Sequence, residues 1–332
     1  MATSIIHNSD ALSNDILAPI KMGAMLDKYP RLDPPLVDGL LRQREVANII
    51  AAPKLGKSFL ALNLAWCVAT GRPWLGFATE QHRVLVIDNE LRPCTLASRH
   101  RAVADAMQID MRLHGDFIDS LCLRGRLCDI HKLEAHLNTI PPEHYGLIVL
   151  DALYRTLPAG TSENDNAAMT AIFNKLDQYA EMLGSAIVII HHSSKGEQVG
   201  KGVTDVGAGA GSISRAADTH LILRPHEEPQ HAVLEAVTRS FRAPKPVTVK
   251  FDWPVWQSTE LEPVVRRKES IGDVKQARLD KEVDERIIQA LANNRRQTKS
   301  QLRAAVGMGE ARVARSLARL VSERKIEGKN LR

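Results

Sequence analysis

The sequence predicts an α/β protein with an open, mostly parallel sheet and a small helical domain towards the C-terminal end. Apolar runs that resemble strands alternate with amphipathic stretches from about Val37 to Trp256. The first four runs are continuous and rich in β-branched residues, as expected of parallel strands that are buried on both faces. Basic residues concentrate after residue 265, which sets the end of the chain apart from this sheet.

The order of the predicted elements supports the open sheet. The runs that predict strands are VANIIAA, RVLVIDNE, YGLIVLDA, SAIVIIHH, THLILRP, AVLEAVTR and VTVKFDW. Helices are expected between the first four, at Lys57–Thr70, Leu96–Met107 and Asn166–Leu183. Strand–helix alternation of this kind gives an α/β sheet. The later runs are closer together and more polar, so we expect them as antiparallel additions at the sheet edge.

The chain divides into four expected segments. These are an N-terminal arm with a short helix (1–35), an α/β domain (36–263), a charged linker (264–281) and a helical domain (282–332). Residues 266–332 carry 18 Lys and Arg against 9 Asp and Glu, whereas residues 1–265 carry 26 against 30. A basic end on a near-neutral body predicts a polyanionic partner, and nucleic acid is the most common one.

Composition excludes several classes of protein. The apolar runs are too short to cross a bilayer, so no membrane partner is expected. The N-terminus lacks a basic segment followed by an apolar one, which argues against a secretory signal. Four cysteines without paired spacing argue against structural zinc and against a disulfide framework. A cytoplasmic protein is expected.

The segment VANIIAAPKLGKSFLALNLA predicts a loop that binds the phosphates of ATP. A buried strand runs into a tight loop, and Gly56, Lys57 and Ser58 then open a helix whose N-terminal amides attract phosphate. Lys57 is expected to reach the β and γ oxygens, and the Ser58 hydroxyl to bind Mg²⁺. Ala51 departs from the usual pattern, which has a glycine there. The residues expected to line the nucleotide are Ala52, Pro53, Lys54, Leu55, Gly56, Lys57, Ser58 and Phe59.

Acidic residues follow two of the other predicted strands. Asp151 ends YGLIVLD, where an acid would hold Mg²⁺ together with Ser58. Glu90 follows RVLVID at the edge where open α/β sheets bind ligands, and it is the candidate base that polarises the attacking water. Asp88 is the competing candidate, and either acid could instead cap the turn that follows.

Further polar residues are candidates for sensing the nucleotide or a second ligand. Adjacent residues of a strand point to opposite faces, so we expect one of His191 and His192 to pack in the core and favour His192 as a γ-phosphate sensor. A glycine-rich segment that contains Lys201 is expected to be either a disordered surface loop or a functional mobile loop that becomes ordered when a ligand binds. Arg239 and Arg242 are candidates for stabilising charge on a neighbouring subunit's nucleotide, with solvated strand-end residues as the alternative.

The end of the chain reads as three helices in a helix-turn-helix arrangement. Thr298 and Gln301 predict a capping box. In the last helix an inward stripe is expected, and basic residues on the opposite face are expected to contact DNA phosphates. The inward residues are Val313, Leu317, Leu320 and Val321, and the outward ones are Arg312, Arg315 and Arg319. The last eight residues, KIEGKNLR, could form a short wing. A basic oligomerisation or docking bundle is the alternative.

Taken together, these motifs resemble the RecA-like P-loop ATPases of the RepA type, the replicative helicases of plasmids and phages. The resemblance covers most of residues 36–256 and lies in the segments DGLLRQREVANIIAAPKLGKSFLALNLA, ATGRPWLG, VLVIDNE, LIVLDAL, IIHHSSKG and GSISRAAD. It implies a ring-shaped homo-oligomer, with a hexamer expected, and ATP sites between subunits. It also implies Glu90 as catalytic base, Asp151 as the magnesium acid, residues 191–195 as sensor and the glycine-rich loop on DNA. Arg215, Arg239 and Arg242 become candidates for reaching across the interface.

The sequence therefore predicts an ATP-hydrolysing, DNA-associated motor with a C-terminal domain similar to a winged helix. An ATP-switched DNA-binding regulator or recombination mediator, which would not unwind DNA, is the alternative. A metabolic kinase is a third and weaker interpretation, because the basic end of the chain would go unexplained. The low aromatic content of 4% counts against the helicase, since it offers few stacking surfaces for single-stranded DNA.

Overall fold

The computed structural model describes residues 19–126, 128–163, 165–192, 216–240, 242–266, 271–294, 296–323 and 325–327, with backbone alone for His192 and residues 271–278. The chain forms two compact units, divided between residues 266 and 267. No helix in the described ranges has the length and apolar character needed to span a membrane.

In the first unit, nine of the described strands form one sheet in the order β11-β10-β9-β8-β3-β7-β6-β4-β5. The strands from β8 to β5 in this order are parallel, and β9, β10 and β11 add antiparallel at one edge. This confirms the predicted fold class and the antiparallel edge. The strands are β1 Pro35–Val37, β2 Leu41–Arg42, β3 Val46–Ala51, β4 Val84–Asp88, β5 Ile118–Cys122, β6 Leu147–Asp151, β7 Ala186–His192, β8 Thr219–Pro225, β9 His231–Thr238, β10 Val247–Asp252 and β11 Val255–Ser258.

The helices follow the predicted order with two additions. The described helices are α1 Met22–Lys28, α2 Lys57–Thr70, α3 Pro93–Ala106, α4 Met111–His114, α5 Ile130–Leu137, α6 Asn166–Leu183, α7 Ile271–Asn293, α8 Lys299–Val306 and α9 Glu310–Ser322. The bounds predicted for α2 and α6 are confirmed. Helix α3 begins three residues before the prediction because Pro93 occupies its first turn, where a proline loses no hydrogen bond. The two additions are helices α4 and α5, and strands β1, β2, β5 and β11 were also missed.

Alternate residues of the central strands pack into two hydrophobic cores, one on each face of the sheet. One core includes Ala47 and Ile49 of β3 and most of α2. The other includes Ile187 and Ile189 of β7 together with the inner side of α6, where Phe173 is fully buried. The sheet is thus covered on both faces, which explains why most positions of its central strands are apolar, with Asn48 of β3 as a buried polar exception.

The second unit packs three helices around a small core of its own. Helix α7 begins at Ile271, so most of the segment expected as a charged linker is helical. The capping box of Thr298 and Gln301 at the start of α8 is confirmed. In α9, the prediction that Val321 faces inward is wrong, since its side chain is 42% exposed. Ser316 is buried instead, because Val313, Ser316 and Leu320 share the face of the helix that meets the core.

Truncating Phe173 is expected to destabilise the first unit strongly. Phe173→Ala should lower the free energy of unfolding by about 3–5 kcal/mol, because a large cavity opens under the sheet. Met182 lies on the same helix but is 40% exposed, and Met182→Ala should cost less than about 0.5 kcal/mol. Urea titration followed by circular dichroism would measure both values. Equal losses in the two variants would contradict the position of the core.

Candidate functional site

The candidate site lies at the carboxyl edge of the parallel strands. Strand β7 lies between β3 and β6, and β4 follows β6. Ala51 at the end of β3 is in register with His192 of β7, and Asp88 of β4 is in register with Asp151 of β6. The four strands therefore end at nearly the same level. This places the loop after β3 on the same edge as the acids that the sequence singled out.

The loop between β3 and α2 has the local geometry of an anion cradle. Gly56 takes a left-handed conformation with φ of 83°, and Lys54 is also left-handed with φ of 65°. Gly56 is the N-cap of α2, and no side chain caps this helix end. The first-turn amides of α2 have no acceptor within the helix and point towards the loop. The loop can therefore offer several N–H groups and the positive end of a helix dipole to phosphate.

Lys57 is buried, with 6% of its surface exposed. Its ammonium donates hydrogen bonds to the carbonyl oxygens of Ala51, at 2.9 Å, and Ala52, at 3.1 Å. Burial lowers the pKa of Lys57 to about 8, and the nearby carboxylates of Asp151 and Glu90 oppose this shift. The lysine therefore lies within the loop, where a bound anion would further favour its charged form.

Asp151 and Ser58 are paired at the end of β6. Asp151 is 6% exposed. Burial raises its pKa to about 7, although a hydrogen bond from the Ser58 side chain favours the carboxylate. A carboxylate and a hydroxyl beside a phosphate loop are the oxygen ligands that Mg²⁺ prefers. The donor set fits the predicted magnesium ion, with phosphate and water to complete the coordination.

The two acids after β4 have different roles in the structure. The buried carboxylate of Asp88 accepts hydrogen bonds from the amides of Glu90, at 2.8 Å, and Leu91, at 2.6 Å. Asp88 is therefore the residue that caps the turn. Glu90 projects beyond that turn, near enough to Lys57 and Asp151 to influence the pKa of both. The backbone amide of Asn89 donates to the Asp151 carbonyl oxygen at 2.7 Å, which ties the turn after β4 to the end of β6.

A tyrosine and an arginine that the sequence analysis missed hold Glu90. The hydroxyl of Tyr154 donates to Glu90 Oε1 at 2.7 Å. Arg155 Nε in turn donates to the Tyr154 hydroxyl oxygen at 2.9 Å. Both residues lie in the short 3-10 helix that follows Asp151. Their position just after the acidic strand end was the only available signal, and it does not identify a partner 64 residues away.

Comparison with known families agrees with this geometry. A family model described as an AAA domain matches residues 19–198, which is more than half of the chain. The chain belongs to this AAA domain family. It is therefore a P-loop ATPase of the RecA-like kind, and such a domain implies nucleotide binding, typically with Mg²⁺. No curated protein matches the chain.

The two adjacent histidines of the AAA domain occupy different environments. His191 is fully buried, and its Nε2 lies 3.8 Å from Glu163 Oε1. This burial agrees with the expectation that one histidine packs in the core. His192 ends β7 next to Ala51, where the phosphate loop begins. Its backbone position suits the predicted sensor, and its side chain lies outside the described part of the structure.

Arg239 is not near the phosphate loop of its own subunit. It follows β9, whose last residue, Thr238, pairs with Thr219 at the start of β8. Since β8 is parallel to β3, this is the opposite edge of the sheet. Arg239 forms an ion pair with Asp218 at 3.1 Å, and its side chain is 56% exposed. Arg242 is also exposed. The structure therefore does not bring the two predicted arginines together with Glu90.

Sequence analysis also missed the hairpin that buttresses the phosphate loop. Trp256 of β11 donates from Nε1 to the Gly56 carbonyl oxygen at 3.2 Å, and its backbone amide donates to Asn63 Oδ1 of α2 at 2.7 Å. A Cβ atom on Gly56 would lie 3.1 Å from the Trp256 ring. Glycine at position 56 is thus required both by its positive φ and by the indole against it. Because Trp256 and Gly56 are 200 residues apart, their contact leaves no local pattern in the sequence.

The predicted DNA-contacting arginines of α9 differ in their surroundings. Arg315 is exposed and Arg312 is half-buried. Arg319 donates to Asp284 Oδ2 at 2.7 Å and lies 3.7 Å from an oxygen of Asp280, so it bridges to α7. The prediction that Arg319 lines the outward face is therefore wrong, because its place one residue before buried Leu320 turns it towards α7.

Some predicted site residues lie outside the described residues. They are Lys195, Lys201, Arg215, the glycine-rich loop at 196–211 and the end of the predicted wing at 328–332. For these residues the sequence predictions stand as predictions.

The pKa shifts of Lys57 and Asp151 predict that Mg-ATP binding takes up a proton above neutral pH and releases one below it. At pH 8.5 the free protein holds Lys57 partly neutral, and bound triphosphate favours the ammonium. Mg-ATP binding should therefore take up a proton at pH 8.5, and affinity should fall by up to about tenfold per pH unit above 8. At pH 6, part of the protein carries protonated Asp151, which must lose its proton to bind Mg²⁺, so affinity should also weaken below 7.

Calorimetry in two buffers with different ionisation heats measures this proton exchange. Lys57→Arg is the matched control, since arginine stays charged at pH 8.5 and should abolish the uptake. Equal heats for the wild-type protein in both buffers at pH 8.5 would contradict a lysine that titrates at the site.

Proposed function

We propose that this chain is a Mg-ATP-hydrolysing, DNA-associated motor, and specifically a replicative DNA helicase similar to the RepA type of plasmids, phages and other mobile elements. One observation carries the hydrolytic part of the proposal. Lys57, Ser58, Asp151 and Glu90 come from three separate strand ends and meet at one edge of the sheet. A phosphate loop, an acid paired with a hydroxyl, and a second carboxylate beyond them form the set that phosphoryl transfer to water requires.

Each residue has a distinct task in the proposed reaction. The ammonium of Lys57 exchanges its two backbone carbonyl partners for phosphate oxygens, which favours its charged form. Asp151 and Ser58 would hold Mg²⁺, which would neutralise charge on the phosphates. The carboxylate of Glu90 orients a water molecule and accepts its proton during attack on the γ-phosphate. The Tyr154 hydroxyl fixes one oxygen of Glu90 and leaves Glu90 Oε2 for the water.

The DNA-associated part of the proposal is supported by charge and by domain organisation. The basic surplus of the chain falls in residues 266–332, and the chain from residue 267 onwards forms a compact unit distinct from the first one. This unit has a helix-turn-helix order of elements in α8 and α9, and it carries the exposed Arg315. We assign it to duplex DNA as a domain similar to a winged helix, and the glycine-rich loop with Lys201 to DNA in the channel of a hexameric ring.

The position of Arg239 supports the ring. An arginine at the sheet edge opposite the phosphate loop cannot serve its own nucleotide, but head-to-tail packing of subunits would bring this edge towards a neighbour's site. In that assembly, Arg239 and Arg242 would stabilise charge on the transferred phosphoryl group.

An ATP-switched DNA-binding regulator is the second candidate. It is favoured by the same separation of the two units, because DNA binding by the second unit needs no unwinding. A strand-displacement assay on a forked duplex, together with mass photometry with and without Mg-ATP, separates the two functions. The motor should form rings and separate strands. Rings without strand separation would favour the regulator, and a protein that stays monomeric would rule out the ring.

Replacing Glu90 should remove hydrolysis and leave binding intact. Glu90→Gln keeps the shape and the hydrogen bond from Tyr154 but cannot accept a proton, so kcat for ATP should fall at least about a hundredfold. The dissociation constant for Mg-ATP should change less than about threefold, since the loop and Asp151 are unaltered. Steady-state phosphate release and equilibrium binding measure the two effects. Glu80→Gln, at an exposed position outside the site, is the control and should behave as wild type.

Arg315 and Arg319 should respond differently to truncation. Arg315→Ala should weaken DNA binding for all sequences and reduce the slope of log K against log salt concentration by about 1, as expected for one lost phosphate contact. Arg319→Ala should instead lower the stability of the second unit, because Asp284 loses its partner. Fluorescence anisotropy at several salt concentrations and thermal unfolding of both variants measure these outcomes. An unchanged salt slope in Arg315→Ala would contradict its assignment.

A further inference from the structure

An exposed aromatic side chain lies beside the phosphate loop and has no part in the chemistry described above. Trp253 occupies the turn between β10 and β11, and 68% of its surface is exposed. Its ring packs edge-on against Phe59, with ring centroids 6.3 Å apart and planes at 70°. Phe59 directly follows Ser58 in the first turn of α2. We call Trp253 and Phe59 the hairpin platform.

The hairpin platform is held at a fixed place relative to the loop. Phe251 packs against it: the Phe251 ring centroid lies 5.7 Å from that of Phe59 and 4.8 Å from that of Trp256. Trp256 is itself hydrogen-bonded to the Gly56 carbonyl. The guanidinium of Arg99 lies over the Phe59 ring, 5.1 Å from its centroid. The turn that carries Trp253 is thus braced by aromatic contacts, although the Trp253 ring faces solvent.

The order of the strands indicates which end of a bound nucleotide would reach this platform. Asp151 and Glu90 mark the end of the site where the γ-phosphate reacts, and they follow β6 and β4. These strands lie on one side of β3, whereas β10 and β11 lie on the other. A triphosphate that runs along the loop from the acids therefore points its α-phosphate and nucleoside towards the hairpin side.

We propose that Trp253 is the stacking surface for the purine base of the bound nucleotide, with Phe59 as its edge-on support. This inference rests on the proposed function, since it needs ATP in the phosphate loop. An indole has the largest π face of any side chain, and stacking on it reads the area of a base and not its hydrogen-bonding edge. The platform should therefore favour purine over pyrimidine nucleotides and discriminate weakly between adenine and guanine.

Truncation of Trp253 should affect the nucleoside and not the phosphates. Trp253→Ala should weaken Mg-ATP binding about tenfold, as expected for the loss of one base–aromatic stack. Binding of Mg-tripolyphosphate, which has no base, should stay unchanged. Trp253→Phe should recover most of the affinity. Calorimetry with ATP, GTP, CTP and tripolyphosphate measures all four ligands on each variant, and Tyr29→Ala, which removes an aromatic ring exposed elsewhere, is the matched control.

The outcomes separate this inference from the proposed function. Equal losses for ATP and tripolyphosphate in Trp253→Ala would overturn the platform, because Trp253 would then shape the loop and not bind the base. Unchanged ATP affinity in Trp253→Ala would overturn it as well, while leaving the ATPase proposal intact. Lys57→Ala should weaken both ligands in the same assay. If wild-type protein bound neither ligand, the proposed function would fail, and the platform would fail with it.

Discussion

The site depends on a single constraint, which is that the parallel strands β3, β7, β6 and β4 end at one level. Register alone brings Ala51 beside His192, and Asp88 beside Asp151. A slip of one residue in β6 would turn Asp151 to the other face of the sheet. The hydrophobic cores on both faces oppose such a slip, because alternate residues of these strands pack into one core or the other and a slip would exchange them. The chemistry of the carboxyl edge is therefore stabilised by the apolar residues beneath it.

Burying the charges of Lys57 and Asp151 at this edge is unfavourable, and a bound ligand of opposite charge would offset this desolvation. Lys57 and Asp151 are both almost inaccessible, and burial shifts the pKa of each towards its neutral form. Their mutual attraction and the carbonyls of Ala51 and Ala52 compensate in part. Phosphate and a divalent cation would supply the missing opposite charges. The loop is thus prepared for an anion and a cation together, which agrees with a family that binds nucleotide.

The parts of the site that the sequence predicted are those whose pattern lies within one short segment of the chain. Gly56, Lys57 and Ser58 lie between a strand and a helix, and Asp151 ends an apolar run, so their chemistry follows from neighbours in the chain. Contacts between distant segments could not be predicted. Trp256 reaches Gly56 across 200 residues, and Tyr154 reaches Glu90 across 64. The errors in α9 have another cause: a periodic pattern tells which residues share a face, but the partner helix decides that Arg319 pairs with Asp284 while Val321 is exposed.

The two edges of the sheet also differ in what they require of an assembly. The described residues that we propose bind the triphosphate lie at the carboxyl edge of the sheet, whereas Arg239 lies at the opposite edge and is paired with Asp218. Transfer of Arg239 to a phosphate would break this ion pair, in which the side chain of Arg239 is 56% exposed and that of Asp218 is 18% exposed. A neighbouring nucleotide with several negative charges would compete well for it. In the proposed ring, Arg239 would therefore act on hydrolysis at a neighbouring subunit's nucleotide and not on binding of its own.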